Sequence, residues 1–125
     1  MRLKPPTEHA EQQFLFEWAQ WNTGRYPELN LLFAIPNGGL RSKATGAMLK
    51  TEGTQVGVPY LMLPVMRGGY GALFIEMKRV KGGRVQPEQN WWIEQLQKQG
   101  YAAVVCKGAA EAIDVIENYL CVTNK

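Results

Sequence analysis

Residues 60–78 read YLMLPVMRGGYGALFIEMK. Two apolar runs, Tyr60–Met66 and Gly71–Met77, flank the turn Arg67-Gly68-Gly69 and predict a hairpin of strands. Side chains alternate along a strand, so Leu73, Ile75 and Met77 share one face while Phe74, Glu76 and Lys78 share the other. Reflecting the first run through Gly68 sets residue 60 opposite Glu76. Pro59 and Pro64 lack the N–H that a ladder needs, which predicts an edge position or a bulge for the first run. An acid at the end of a buried strand is costly unless it is paired or holds a cation. Glu76 and Lys78 are therefore either a plain ion pair or part of a reaction centre.

Outward from this hairpin the chain alternates helices and strands. A first helix is predicted from the N-cap Thr7 to about Asn22, with Leu15, Trp18 and Trp21 or Asn22 on its buried stripe. Glu8 and Glu11 extend that stripe toward the N-terminus, as capping-box members or as inward-facing acids. Leu29–Ile35 reads as a strand ended by the turn Pro36-Asn37-Gly38-Gly39. A polar helix follows over Leu40–Glu52. After the hairpin, a basic loop from Lys78 to Val85 leads into a helix from Pro87, a good first helical residue, to Gln99. Tyr101–Cys106 is almost wholly apolar and predicts a central strand, and Gly108–Leu120 a final helix. The order α-β-α-β-β-α-β-α is that of an α/β sandwich with a mixed sheet, one domain over residues 1–125.

Composition narrows the classes. At 125 residues and 46% hydrophobic, the chain has the balance of a soluble globule. No apolar run approaches the ~18 residues of a membrane span, and MRLKPPTEH has no signal-like apolar core. Cys106 and Cys121 read as free buried thiols, which fits a reducing cytoplasm. His9 is the sole histidine, which argues against a His-rich zinc site. Charge is uneven. Residues 41–84 carry Arg41, Lys43, Lys50, Arg67, Lys78, Arg79, Lys81 and Arg84 against Glu52 and Glu76, while the flanks are net acidic. A basic centre suits a polyanion. The segment Lys81-Gly82-Gly83-Arg84 is a phosphate-binding loop or a surface turn. Core packing is the default for Trp18, Trp21, Trp91 and Trp92, with Trp91 about a quarter-turn off the inward face of its helix.

An ordered set of motifs resembles one family. Pro36-Asn37-Gly38-Gly39, then Gly53 and Val56-Gly57-Val58-Pro59, then Ile75-Glu76-Met77-Lys78, then Gln89, are similar to the VRR-NUC (virus-type replication-repair nuclease) family of the PD-(D/E)xK superfamily. The likeness runs from about Glu8 to about Leu120 and is nearest to small stand-alone phage and bacterial members. It implies a restriction-endonuclease-like sandwich and a metal-dependent, structure-specific endonuclease. The substrate implied is branched DNA such as Holliday junctions, met in repair. It also implies a homodimer in the cytoplasm, with no membrane and no organic cofactor.

The resemblance also implies roles by position. Glu76 would bind the metal, with the Met77 carbonyl and the first-helix acid, Glu8 or alternatively Glu11; Glu8 with Gln12 matches the family spacing better. Lys78 would position the attacking water or offset charge on the phosphate, and Gln89 would stand on the helix behind the site. Mg²⁺ is the expected cation from ligand hardness, with Mn²⁺ as the alternative. Arg41, Lys43, Arg79, Lys81 and Arg84 would grip DNA backbone without reading bases. Where the family has Asp after Val-Pro, this chain has Tyr60, and Asp114 is the only aspartate anywhere. A neutral phenol removes a full negative charge from the ligand set, so weak metal binding and severe loss of cleavage are expected. A homologue that binds branched DNA without cutting is the alternative; a small interaction domain with a structural Glu76–Lys78 pair is the third reading.

Overall fold

This computed structural model describes residues 4–36 and 43–122, with the side chains of residues 43–46 left aside. The turn expected at Asn37-Gly38-Gly39, the helix start at Leu40 and Arg41 lie outside the described residues. The elements are α1 (Glu8–Trp21), a 3₁₀ turn (Pro27–Leu31), β1 (Phe33–Ala34), α2 (Lys43–Thr51), β2 (Leu61–Leu63), β3 (Leu73–Lys78), α3 (Pro87–Lys98), β4 (Ala102–Lys107) and α4 (Ala109–Cys121). Apart from the 3₁₀ turn, this is the predicted order. Among the described residues no helix is long and apolar enough to cross a membrane.

The four strands form one mixed sheet in the order β1-β2-β3-β4. β2 runs antiparallel to β1 and β3, and β4 runs parallel to β3. The pairs Leu61–Ile75 and Leu63–Leu73 continue to residue 60 opposite Glu76, the register read from the hairpin. Gly68 and Gly69 both take positive φ, at 57° and 87°, so Arg67 and Tyr70 exchange backbone hydrogen bonds across a tight two-residue turn. Three residues separate Leu63 from Arg67, but two separate Tyr70 from Leu73. The extra residue on the Pro64 side is the bulge that the proline predicted.

Four expectations are corrected. The Tyr60–Met66 run is not an edge strand: β2 pairs on both sides, because Pro59 and Pro64 bracket its three residues and no ladder N–H is lost. The Tyr101–Cys106 run is not central: among the described residues β4 is the sheet's edge, and it is apolar because helices cover both of its faces. Leu29–Ile35 is only in part a strand, since Pro27 starts a 3₁₀ turn through Leu31 before a two-residue β1. Trp21 is not core: it is 86% exposed, whereas Trp18 packs against the main core.

The face bearing Leu73, Ile75 and Met77 packs against Leu15 and Ala19 of α1 and Ala112, Ile116 and Leu120 of α4. Phe74 and Ala103 on the other face meet Ile93 and Leu96 of α3. All six residues of β3 are buried. Burying each large apolar side chain there contributes roughly 1.5–3 kcal/mol, which holds the strand ending in Glu76 and Lys78 rigidly between two layers. Cys106 is buried, with its thiol pushed up to about 12 by burial and then by Glu111, while Cys121 is exposed, so only one of the two free thiols is core.

Candidate active site

The C-terminal end of β3 carries the candidate site. Glu76 is 1% exposed and Lys78 is 7% exposed. Lys78 Nζ lies 3.7 Å from Glu76 Oε2, an ion pair too long for a good hydrogen bond. Glu76 Oε1 is buried and, among the described residues, has no hydrogen-bond partner. Burial pushes the Glu76 carboxyl from 4.5 up to about 7; Lys78 pulls it down, Glu8 pushes it up, and the Tyr60 peptide N–H pulls it down. A purely structural ion pair would satisfy both oxygens, because an orphaned buried carboxylate oxygen is costly. Among the described residues this one leaves an acceptor unused.

The hairpin brings Tyr60 to this carboxylate. Its peptide carbonyl accepts from Ile35 N at 2.6 Å, which ties residue 60 to the end of β1. Its half-buried ring packs against the main core. The approach is set by Gly57, whose φ is +93° and whose added Cβ would stand 2.7 Å from the backbone carbon of Glu88. Only glycine lets the segment before Tyr60 lie against the first turn of α3.

The two first-helix acids separate. Thr7 caps α1 through Ala10 N at 3.0 Å. Glu8, half-buried, adds its negative charge to the field on Glu76. Glu11 accepts instead from Ala109 N at 3.1 Å and so caps α4. Gly108 at the N-cap of α4 has no side chain to do this, and a Cβ there would meet Glu11 Oε2 at 3.2 Å and Val80 at 2.7 Å. The capping role of Glu11 was missed; the side-chain-free N-cap at Gly108 was the signal that an outside acceptor was needed.

Gln89 is half-buried, and its Oε1 accepts from Gln86 N at 2.8 Å, which closes the first turn of α3. Arg79, Lys81 and Arg84 are exposed. Among the described residues none of the three is held in an ion pair. Gly83 folds back onto Arg79 O and the Lys78 Cβ, where an added Cβ would stand 2.8 and 3.1 Å away, so the loop after β3 packs over Lys78. Lys43 lies in α2 with its side chain outside the description, and Asp114 is exposed, as expected.

Glu76, and Glu8 acting on it through its charge, are the carboxylates that the described residues offer here. Among the described residues no three acidic, histidine or cysteine side chains converge as a metal cage. With a phenol at residue 60, the set does not fit a tight hard-cation site.

The comparisons agree with this architecture. The VRR-NUC domain model matches residues 7–110. A solved structure described as a VRR_NUC domain protein superposes with a TM-score of 0.84 at 32% identity, over 98% of this chain and 94% of the other. No curated protein matches the chain. With the family model covering most of the residues and the solved relative sharing the whole fold, the chain belongs to the VRR-NUC family, a nuclease domain of the PD-(D/E)xK type.

Proposed function

We propose that this domain engages branched DNA at the Glu76–Lys78 end of the sheet and that, with Tyr60 in place, it cleaves phosphodiesters poorly or not at all. The observation that carries this reading is the buried, half-satisfied Glu76 carboxylate opposite residue 60. Restored to a carboxylate, residue 60 would join Glu76 and Glu8 as a third hard-oxygen donor. Mg²⁺, or alternatively Mn²⁺, is the cation that such a set selects.

This chain's residues otherwise suit the task. Lys78 brings an ammonium beside the acid, where it can offset charge developing on a scissile phosphate. The exposed Arg79, Lys81 and Arg84 supply backbone contacts, which attract DNA without reading its sequence. Specificity then rests on DNA shape.

The test is binding of a four-way junction followed by anisotropy across a salt series, with product analysis in Mg²⁺ and Mn²⁺. The expected result is affinity that falls steeply with salt and little or no product. No binding at low salt would overturn the proposal, and rapid cutting by the unaltered chain would overturn the role given to Tyr60.

A further inference from the structure

Trp91 is 56% exposed on α3, yet it is braced. Its ring and that of Trp92 are perpendicular, with centroids 5.5 Å apart and planes at 90°, while Trp92 is half-buried. A perpendicular ring pair restrains the orientation of Trp91, and more than half of its surface stays open to solvent. Trp91 follows Glu88 by three residues, hence on the same side of the helix and about 4.5 Å along it. Glu88 is the residue on which Gly57 packs, and Gly57 leads directly to Tyr60. The exposed indole therefore stands one helical turn from the loop that shapes the site.

The surroundings specify the occupant. The segment that enters α3 carries Arg79, Lys81 and Arg84, exposed and with no ion pair among the described residues. The helix surface around Trp91 is different: it carries Glu88 and Glu94, with Glu94 already paired to Lys98. Phosphates are thus drawn to the loop and repelled from the indole itself. An exposed aromatic on a helix entered directly from a cationic loop suits an unpaired nucleobase whose backbone runs along that loop.

We propose that Trp91 is a stacking platform for an unpaired base, so that this domain prefers branched DNA with a single-stranded arm over fully paired DNA. The proposal rests on the DNA-binding reading above. Base stacking is tolerant of sequence, which agrees with recognition of shape.

The test uses the full chain and three labelled DNAs: a blunt duplex, a four-way junction with all arms paired, and the same junction with one single-stranded arm. Wild type is expected to bind the last most tightly. Trp91→Ala is expected to weaken that binding by about 5- to 100-fold and to leave the duplex affinity unchanged, while Trp91→Phe recovers most of the loss. A 2-aminopurine placed in the single-stranded arm should be quenched by wild type and not by Trp91→Ala. Equal losses on all three DNAs, unchanged binding by Trp91→Ala, or unchanged 2-aminopurine emission with wild type would each overturn the proposal. Absence of binding to any of the three by wild type at low salt would overturn the DNA-binding reading itself, a result distinct from binding without preference.

Discussion

Lys78 Nζ sits 3.7 Å from one oxygen of Glu76, and the other oxygen of that buried carboxylate has no partner among the described residues. The cation beside Glu76 stabilises its charged form, but burial acts more strongly and wins, leaving its pKa near 7. The fold thus carries an acid that its own packing disfavours. Under the function proposed above, that cost is the cost of keeping a strand carboxylate able to take a ligand.

The first prediction concerns pH. In the unfolded chain the Glu76 carboxyl returns to about 4.5, and in the folded chain it is about 7. Between these values the folded state holds the extra proton. Its contribution to stability is therefore full below pH 4.5 and lost as pH rises through 7. The shift corresponds to about 3 kcal/mol at most. Glu76→Gln stays neutral throughout, so its stability relative to wild type should rise by up to that amount between pH 4.5 and 8. Urea unfolding of both proteins across this range checks it, and a pH-independent difference would contradict the assigned cause.

The second prediction separates the two first-helix acids. Glu11→Ala should cost ~1 kcal/mol by uncapping α4, seen as a lower urea midpoint. Glu8→Gln should leave α4 capped and move the pH midpoint of the Glu76 effect downward, because a charge that raises the Glu76 pKa is gone. If Glu11→Ala moved that midpoint and Glu8→Gln did not, the assignments would be reversed.

A third prediction follows from the contact between Gly57 and α3. Gly57→Ala must both hold φ near +93° and displace the Glu88 backbone. The cost should be about 1–3 kcal/mol in urea unfolding. Gly69→Ala, with positive φ but nothing within 4 Å, should be milder. Similar losses at the two positions would mean that backbone conformation, and not the packing of the loop, limits residue 57.

The hairpin was legible because its physics is local. Alternation placed Glu76 and Lys78 on one face, and reflection through Gly68 gave the register of residue 60. That reflection succeeded partly because the bulge at Pro64 offsets a turn actually centred between Gly68 and Gly69. The strand order was less legible. The apolar run at Tyr101–Cys106 records helices on both faces and not neighbours on both edges. Glu8 and Glu11 share one helical stripe, so periodicity could not divide them; what does so is the docking of α4, a contact between residues 98 apart. Gln89 stands three residues after the N-cap Gln86, the capping-box spacing, and its oxygen accordingly accepts from Gln86 N.

The most direct measurement is junction cleavage by Tyr60→Asp beside the unaltered chain, in Mg²⁺ and in Mn²⁺. A carboxylate at residue 60 should raise the cleavage rate by at least about a hundredfold while binding stays similar, and adding Lys78→Ala should remove the cutting and spare the binding. A Tyr60→Asp protein that binds the junction and still fails to cut it, or that cuts no faster than the unaltered chain, would contradict the account.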